Sequence, residues 1–163
     1  MVKQPGFPSE AIAVLVVALP IFCTINWKTM WTCPDCQRKF KTTNQSHTCV
    51  NVDIGELFMG KPDDLVLAYD TLYQRVMPWQ PNSVGATAKA IVFASIKAWL
   101  IVKPMKKELD LKFYYHEPIE SDLIKRRGVM GKKHAHHIRI NHEDQVGPQL
   151  LELLKMGHEF SIR

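Results

Sequence analysis

Four side chains of this 163-residue chain have the types and spacing of a metal shell: Cys33, Cys36, His47 and Cys49. Cys33-Pro-Asp-Cys36 is a CxxC turn, which points two sulfurs at one place, and His47-Thr-Cys49 follows after ten residues. Three thiolates and one imidazole close a tetrahedral shell around Zn2+ and leave no position for water or substrate. The expected role of the metal is therefore structural, not catalytic. The polar stretch between the ligands, Gln37 to Ser46, has too little apolar surface to fold by itself and needs such a staple. Trp31 and Phe40 are its expected packing cluster. A redox dithiol is the other use of a CxxC, but it belongs at the start of a helix in a βαβ unit, and no such pattern surrounds Cys33. Arg38, Lys39 and Lys41 make the knuckle basic. Zinc knuckles can touch nucleic acid, although a basic loop is more often simply soluble.

A second group is His134, His136, His137 and His142. On a strand His134 and His136 share a face, an arrangement that a metal or a phosphate could use. No carboxylate or thiol stands at ligand spacing beside them, so His136 is expected as a satisfied core or sheet histidine and the others as solvated. Asp110-Leu-Lys112 has the form of the acid-x-Lys half of a metal-dependent nuclease site. That chemistry needs a second acidic strand end before it, and none is evident. Alternation also predicts Asp110 and Lys112 on the face opposite Leu109 and Leu111. The chain has no Walker loop, nucleophile elbow or dinucleotide fingerprint, so no catalytic residue and no organic cofactor are assigned.

The elements that would position these groups follow from periodicity. Lys61-Pro62-Asp63-Asp64 opens a helix, with Pro62 suited to its first position and the carboxylates to the positive end of its dipole. Leu65, Val66, Tyr69, Leu72, Tyr73 and Val76 form its apolar face, and Met77-Pro78 ends it. Residues 90–94 and 98–102 read as strands joined by a tight turn at Ser95-Ile96-Lys97. A strand from Glu108 places Leu109, Leu111 and Phe113 on one face, and 135–140 forms a last short strand after a charged loop over 117–133. A final helix is expected after Asn141, with Asp144 at the third position as in a capping arrangement; Pro148 sits early enough to be tolerated in it or to begin it, and Leu150, Leu151, Leu153 and Leu154 form its core face. Short turns between consecutive strands imply antiparallel pairing, and the sum is an α+β two-layer sandwich of a sheet with flanking helices.

Residues 11–25 carry no charge but are broken by Pro20, and a hydrocarbon-crossing helix wants about 20 apolar residues. The run falls short unless Asn26 and Trp27 join it, and it lacks the flanks and cleavage site of a signal peptide. The leading reading is that residues 1–29 precede a natural start at Met30, with a membrane anchor over 11–27 and a packed helix or strand as alternatives. The expected organisation is thus an apolar extension at 1–29, a zinc knuckle at 30–52 and an α+β domain at 53–163. Four cysteines, three of them close together, suit metal ligation in a reducing, cytoplasmic compartment better than a disulfide framework.

With these pieces placed, the chain resembles a bacterial family described as domain of unknown function 5655. The resemblance rests on Met30-Trp-Thr-Cys33-Pro-Asp-Cys36 with Gln45-Ser-His47-Thr-Cys49, and on Gly55-Glu-Leu-Phe-Met-Gly-Lys-Pro62. It continues more weakly through Thr87, Ile91, Val92 and Phe93 and resumes at His136-His-Ile-Arg-Ile140. It covers Met30 to Arg163. The family's first strand carries basic residues near Thr87, where this chain has Ala88 and Ala90 around Lys89, so an anion site there is not implied. The resemblance implies a fold and a zinc knuckle, and no activity.

The formal charge of +5 permits an anionic partner but is spread along the chain, with its densest clusters at Lys103/Lys106/Lys107, Lys125/Arg126/Arg127 and Lys132/Lys133. The expected function is a non-enzymatic zinc-binding module for nucleic acid or an anionic protein. The alternative is a small enzyme or ligand-binding domain built on the histidine-rich strand, residues 134–142.

Overall fold

The computed structural model describes residues 31–34, 39–40, 42–44 and 52–163. Two short strands, β1 (Trp31–Thr32) and β2 (Lys39–Phe40), pair antiparallel with Trp31 opposite Phe40. A 3-10 turn at Gly55–Phe58 then leads to α1 (Asp63–Val76). Six strands follow: β3 (Ser83–Ala86), β4 (Ile91–Ala94), β5 (Ala98–Pro104), β6 (Leu109–Tyr115), β7 (Ile124–Met130) and β8 (Lys133–Ile140). They form one wholly antiparallel sheet in the order β3-β4-β5-β6-β8-β7, and α2 (Pro148–Ile162) closes the chain.

Period-two alternation decides the two faces of this sheet. Ile91, Phe93, Leu100, Val102, Leu109, Leu111, Phe113 and Ile138 are all essentially sealed from solvent and stand in register across β4, β5, β6 and β8. Both helices cover this first face. Tyr73 of α1 packs its ring against Phe93. Gly157 of α2 lies so close to Phe113 that a Cβ there would come within 2.9 Å of its ring. Leu65, Ala68, Tyr69, Leu72 and Val76 of α1 join Leu150, Leu153 and Leu154 of α2 in one continuous core. Each fully buried leucine contributes about 1.5–3 kcal/mol, so this single layer carries the domain.

The expected α+β two-layer sandwich is therefore the observed fold, with details moved by local chemistry. Pro62 stands one place before the helix, as its cap, and Asp63 and Asp64 occupy the first turn. At the other end Asn82 donates from Nδ2 to the Val76 carbonyl and accepts at Oδ1 from the Trp99 indole at 3.1 Å, so one amide satisfies two buried groups. A register shift at Phe93/Ala94 lets sequence neighbours Trp99 and Leu100 both enter the core.

Three expectations are corrected. The span 117–133 is not all loop, because β7 pairs with β8 along its length, and Gly131 (φ 62°) opens the two-residue turn between them. β3 also escaped the sequence reading: a four-residue edge strand with Gly85 inside it carries little alternation. The final helix starts at Pro148, the later of the two starts the sequence allows, so Asn141 does not cap it. Between them Glu143–Gln145 forms a separate 3-10 turn, where the His142 ring accepts from the Asp144 N–H and the Gln145 side chain accepts from the His142 N–H. Proline cannot donate, so it begins α2 where its missing N–H costs nothing. Among the described residues no helix is long and apolar enough to cross a membrane. The apolar extension 1–29 lies outside them.

Candidate functional site

The second sheet face is set by the same alternation, one residue out of phase. Three cross-strand rows run over it. Lys103, Asp110 and Arg139 stand opposite one another across β5, β6 and β8. Beside them Val92, Ile101, Lys112, His137 and Arg126 run from β4 to β7. The third row is Tyr114, Ala135 and Gly128. Neither described helix belongs to this face, and its charged side chains are gathered in the first two rows.

Asp110 sits at the middle of that charge. Its carboxylate accepts from His137 Nδ1–H at 3.0 and 3.1 Å, and the two side chains keep only 15% and 12% of their surface exposed. Arg126 Nη2 lies 3.2 Å from His137 Nε2 and 3.4 Å from Nδ1. Nη2 is nearly equidistant from the two nitrogens, so the guanidinium lies over the ring face and leaves the in-plane lone pair of Nε2 unoccupied. With Nδ1–H donated to Asp110, the neutral ring keeps its basic nitrogen at Nε2, and it stands between Lys112 on β6 and Arg126 on β7 in the cross-strand row. Lys112 and Lys133 both place their ammonium groups over the Tyr114 ring, at 5.6 and 4.5 Å, which stations two further cations on the face. Arg139 is paired with Glu108 at 2.7 Å.

Asp110 and Lys112 lie opposite Leu109 and Leu111, as alternation predicts. His134 and His136 share a face, and it is the core face. His136 is wholly buried, stacked on Phe113 with ring centroids 5.0 Å apart. Its Nε2 accepts from the Ile119 N–H at 3.0 Å, which leaves the proton on Nδ1, where no acceptor of good geometry meets it among the described residues. Burial, with His134 and Arg127 adding to it, holds this imidazole below the ordinary histidine value of 6.5. His136 is thus a neutral strut of the core that anchors the 116–123 segment. His142 caps the 3-10 turn before α2. The histidine with a site-like setting is His137, carried to the charged face by the change of face one residue along.

Sequence reasoning missed the partnership of His137 with Asp110 and Arg126. Asp110 is 27 residues away in the chain and Arg126 lay in a stretch read as loop. Gly131 between two stretches of possible strand was the available signal for a hairpin.

His158, also buried, donates from Nε2 to the Pro81 carbonyl at 3.2 Å and sets its ring edge-on to Trp99. Burial pushes it below the usual histidine range as well. A separate groove of about 980 Å³ runs between α2 and the 120–127 segment, with Leu123, Ile124, Leu153 and Met156 as its apolar lining. Glu120 forks onto Arg127 at 2.6 and 2.7 Å at its rim.

Of the proposed zinc ligands, Cys33 follows β1 directly and is 2% exposed. Cys36, His47 and Cys49 lie outside the described residues. Among the described residues no three metal-binding side chains converge.

Comparison with known proteins gives a family and no function. No curated protein and no solved structure matches the chain. A family model described as a domain of unknown function (DUF5655) matches residues 54–161. The match spans α1, α2 as far as Ser161 and the whole six-stranded sheet, including every residue of the second face named above, and starts beyond the β1–β2 pair. The chain belongs to the DUF5655 family.

Proposed function

We propose that this protein binds nucleic acid through the second face of its sheet. The observation that carries the reading is the charge of that face. Lys103, Lys112, Arg126, Lys133 and Arg139 share it with only Asp110 and Glu108 as counter-charges. Cross-strand neighbours are about 5 Å apart and alternate residues along a strand about 7 Å apart. A sugar-phosphate chain lying across β5 to β7 would meet a cation at each step. A face built on a hydrogen-bonded six-stranded sheet is already ordered before binding, which favours an extended single strand over a partner that must fold. Val92 and Ile101, half-buried in the same row, offer bases an apolar shelf.

The β1–β2 hairpin fits beside this reading as a structural zinc knuckle. Cys33 directly follows the first strand of that pair and is buried, and a CxxC spacing opens at it, which supports the reading. Cys33, Cys36, His47 and Cys49 would hold one Zn2+ per chain, which supplies fold stability and no reactive position. Thiolates kept for metal belong in a reducing compartment such as the cytoplasm.

Titration of labelled single-stranded RNA and DNA with the full chain at several salt concentrations tests the binding. Affinity should fall steeply as salt rises, because phosphate contacts release counterions. Replacing Lys103 and Lys112 together by Ala should weaken binding to every sequence and flatten the logarithmic salt slope by about two. Absence of binding at low salt, or a double variant that binds like the parent, defeats the proposal. Preference for an acidic protein over any oligonucleotide would do so too. Zinc analysis of the parent and of Cys33→Ser tests the knuckle separately: one metal per chain falling toward none is expected, and a metal-free parent refutes it.

A further inference from the structure

We infer that the second face cleaves RNA as well as holding it, with His137 as general base. The inference rests on the nucleic-acid reading above. Its own support is the arrangement around one imidazole.

A general base needs a free basic nitrogen, a group that fixes its tautomer, and cations where negative charge develops. His137 has all three within one patch of strands β6, β8 and β7. Asp110 takes the Nδ1 proton at 3.0 and 3.1 Å, so the basic nitrogen is Nε2. Lys112 and Arg126 flank the ring in the same cross-strand row. Arg126 reaches over the ring face on a long exposed side chain, its Nη2 3.2 Å from Nε2, so the guanidinium stands where a phosphate beside Nε2 would meet it. This is the geometry of a base beside a clamped phosphodiester. Nothing in the described site supplies a nucleophile of its own, and no group of three metal ligands forms there to activate water. RNA carries its own nucleophile in the 2′-hydroxyl, which is why the substrate is RNA and not DNA.

The step balances without a co-reactant. His137 Nε2 takes the 2′-hydroxyl proton while the 2′-oxygen forms a bond to phosphorus. The bond from phosphorus to the 5′-oxygen breaks, and Lys112 and Arg126 stabilise the charge that gathers on the phosphoryl oxygens. The leaving 5′-oxygen takes a proton from water, and the imidazolium returns its proton to the hydroxide so formed. The products are a 2′,3′-cyclic phosphate end and a 5′-hydroxyl end. His137 is the catalytic residue, and Asp110 is a positioning residue acting through it.

The test incubates the full chain with a labelled single-stranded RNA, the same sequence as DNA, and a diribonucleotide at high concentration. His137→Ala and Lys112→Met, purified identically, run beside the parent, with melting curves for each. The parent should cut RNA and the diribonucleotide, leave DNA whole, and yield cyclic-phosphate ends. His137→Ala should lose at least about 100-fold in rate while still binding RNA. Asp110→Asn should lower kcat while leaving KM and RNA affinity near the parent's, because the ring loses the acceptor that fixes its tautomer while the cations that hold phosphate remain. A merely structural carboxylate would instead lower the melting temperature and the affinity together. RNA that is bound but left intact overturns this inference and leaves the binding proposal standing. A parent that neither binds RNA nor cuts the diribonucleotide overturns both. Cleavage of DNA at the same rate, or by His137→Ala as fast as by the parent, traces the activity elsewhere and overturns the inference.

Discussion

At single positions the sheet-to-helix contact is tightest at Gly157. A Cβ there would lie 2.9 Å from Phe113 Cδ2, 3.3 Å from its Cβ and 3.4 Å from the Tyr114 carbonyl oxygen. The ring belongs to the central strand and the carbonyl to its backbone, so neither can yield without moving β6. Gly157→Ala should therefore destabilise the protein by about 1–3 kcal/mol despite the better helix propensity of alanine. Urea unfolding measures this, and an unchanged or raised midpoint refutes the close contact. The buried histidines give a second expectation. His136 and His158 are held below 6.5 in the folded chain, chiefly by burial, so the unfolded chain binds their protons more readily. Their contribution to stability is whole above 6.5 and is lost as pH falls below it toward the folded values. Unfolding free energy should decline between about pH 7 and pH 5. His136→Gln keeps an oxygen to accept from the Ile119 N–H but cannot be protonated, so it should shallow that decline. An identical pH slope in parent and variant counts against the role of His136. At this scale the sequence told which histidine would be structural, because alternation fixes faces. It could not tell that His137 meets Asp110, since nothing local joins residues on β6 and β8.

Elements were legible where composition and burial agree. α1, β4, β5, β6 and the inward residues of α2 all appear in the apolar pattern because each buries one face against the same core. β7 did not, since every residue from Lys125 to Met130 is exposed and only its hydrogen bonds to β8 make it a strand. Burial leaves a period in the sequence; edge pairing alone leaves little beyond a turn glycine. Gly131 is that turn, with φ 62° and open space around its missing Cβ. Gly131→Ala should cost about 1 kcal/mol through backbone strain alone, and Gly131→Asn clearly less, since asparagine tolerates a positive φ. Equal costs for the two would mean that the strain is not in the backbone. The contrast with Gly157 is physical: there the penalty comes from a neighbour, here from the residue's own geometry.

Over the whole molecule the question is which part folds without the rest. The continuous core draws on residues from Ile54 to Met156, and the family match runs over 54–161. All six strands of the large sheet, α1 and all but the last residue of α2 lie inside that span, as do both faces of the sheet. The β1–β2 hairpin pairs only within itself among the described strands. A chain of residues 52–163 should thus unfold as one cooperative unit, with its near-ultraviolet signal intact and no need of metal. It should also keep the second face, so its affinity for single-stranded RNA at low salt should match the full chain's within a few fold. If the proposed knuckle holds zinc, a chelator should leave the main unfolding transition of the full chain in place while removing that metal. If the truncated chain is molten, or if chelation collapses the main transition, then the knuckle is part of the core and the division at residue 53 is wrong. If it folds but no longer binds RNA, the binding surface extends onto the knuckle, and the second face supplies only a share of the phosphate contacts.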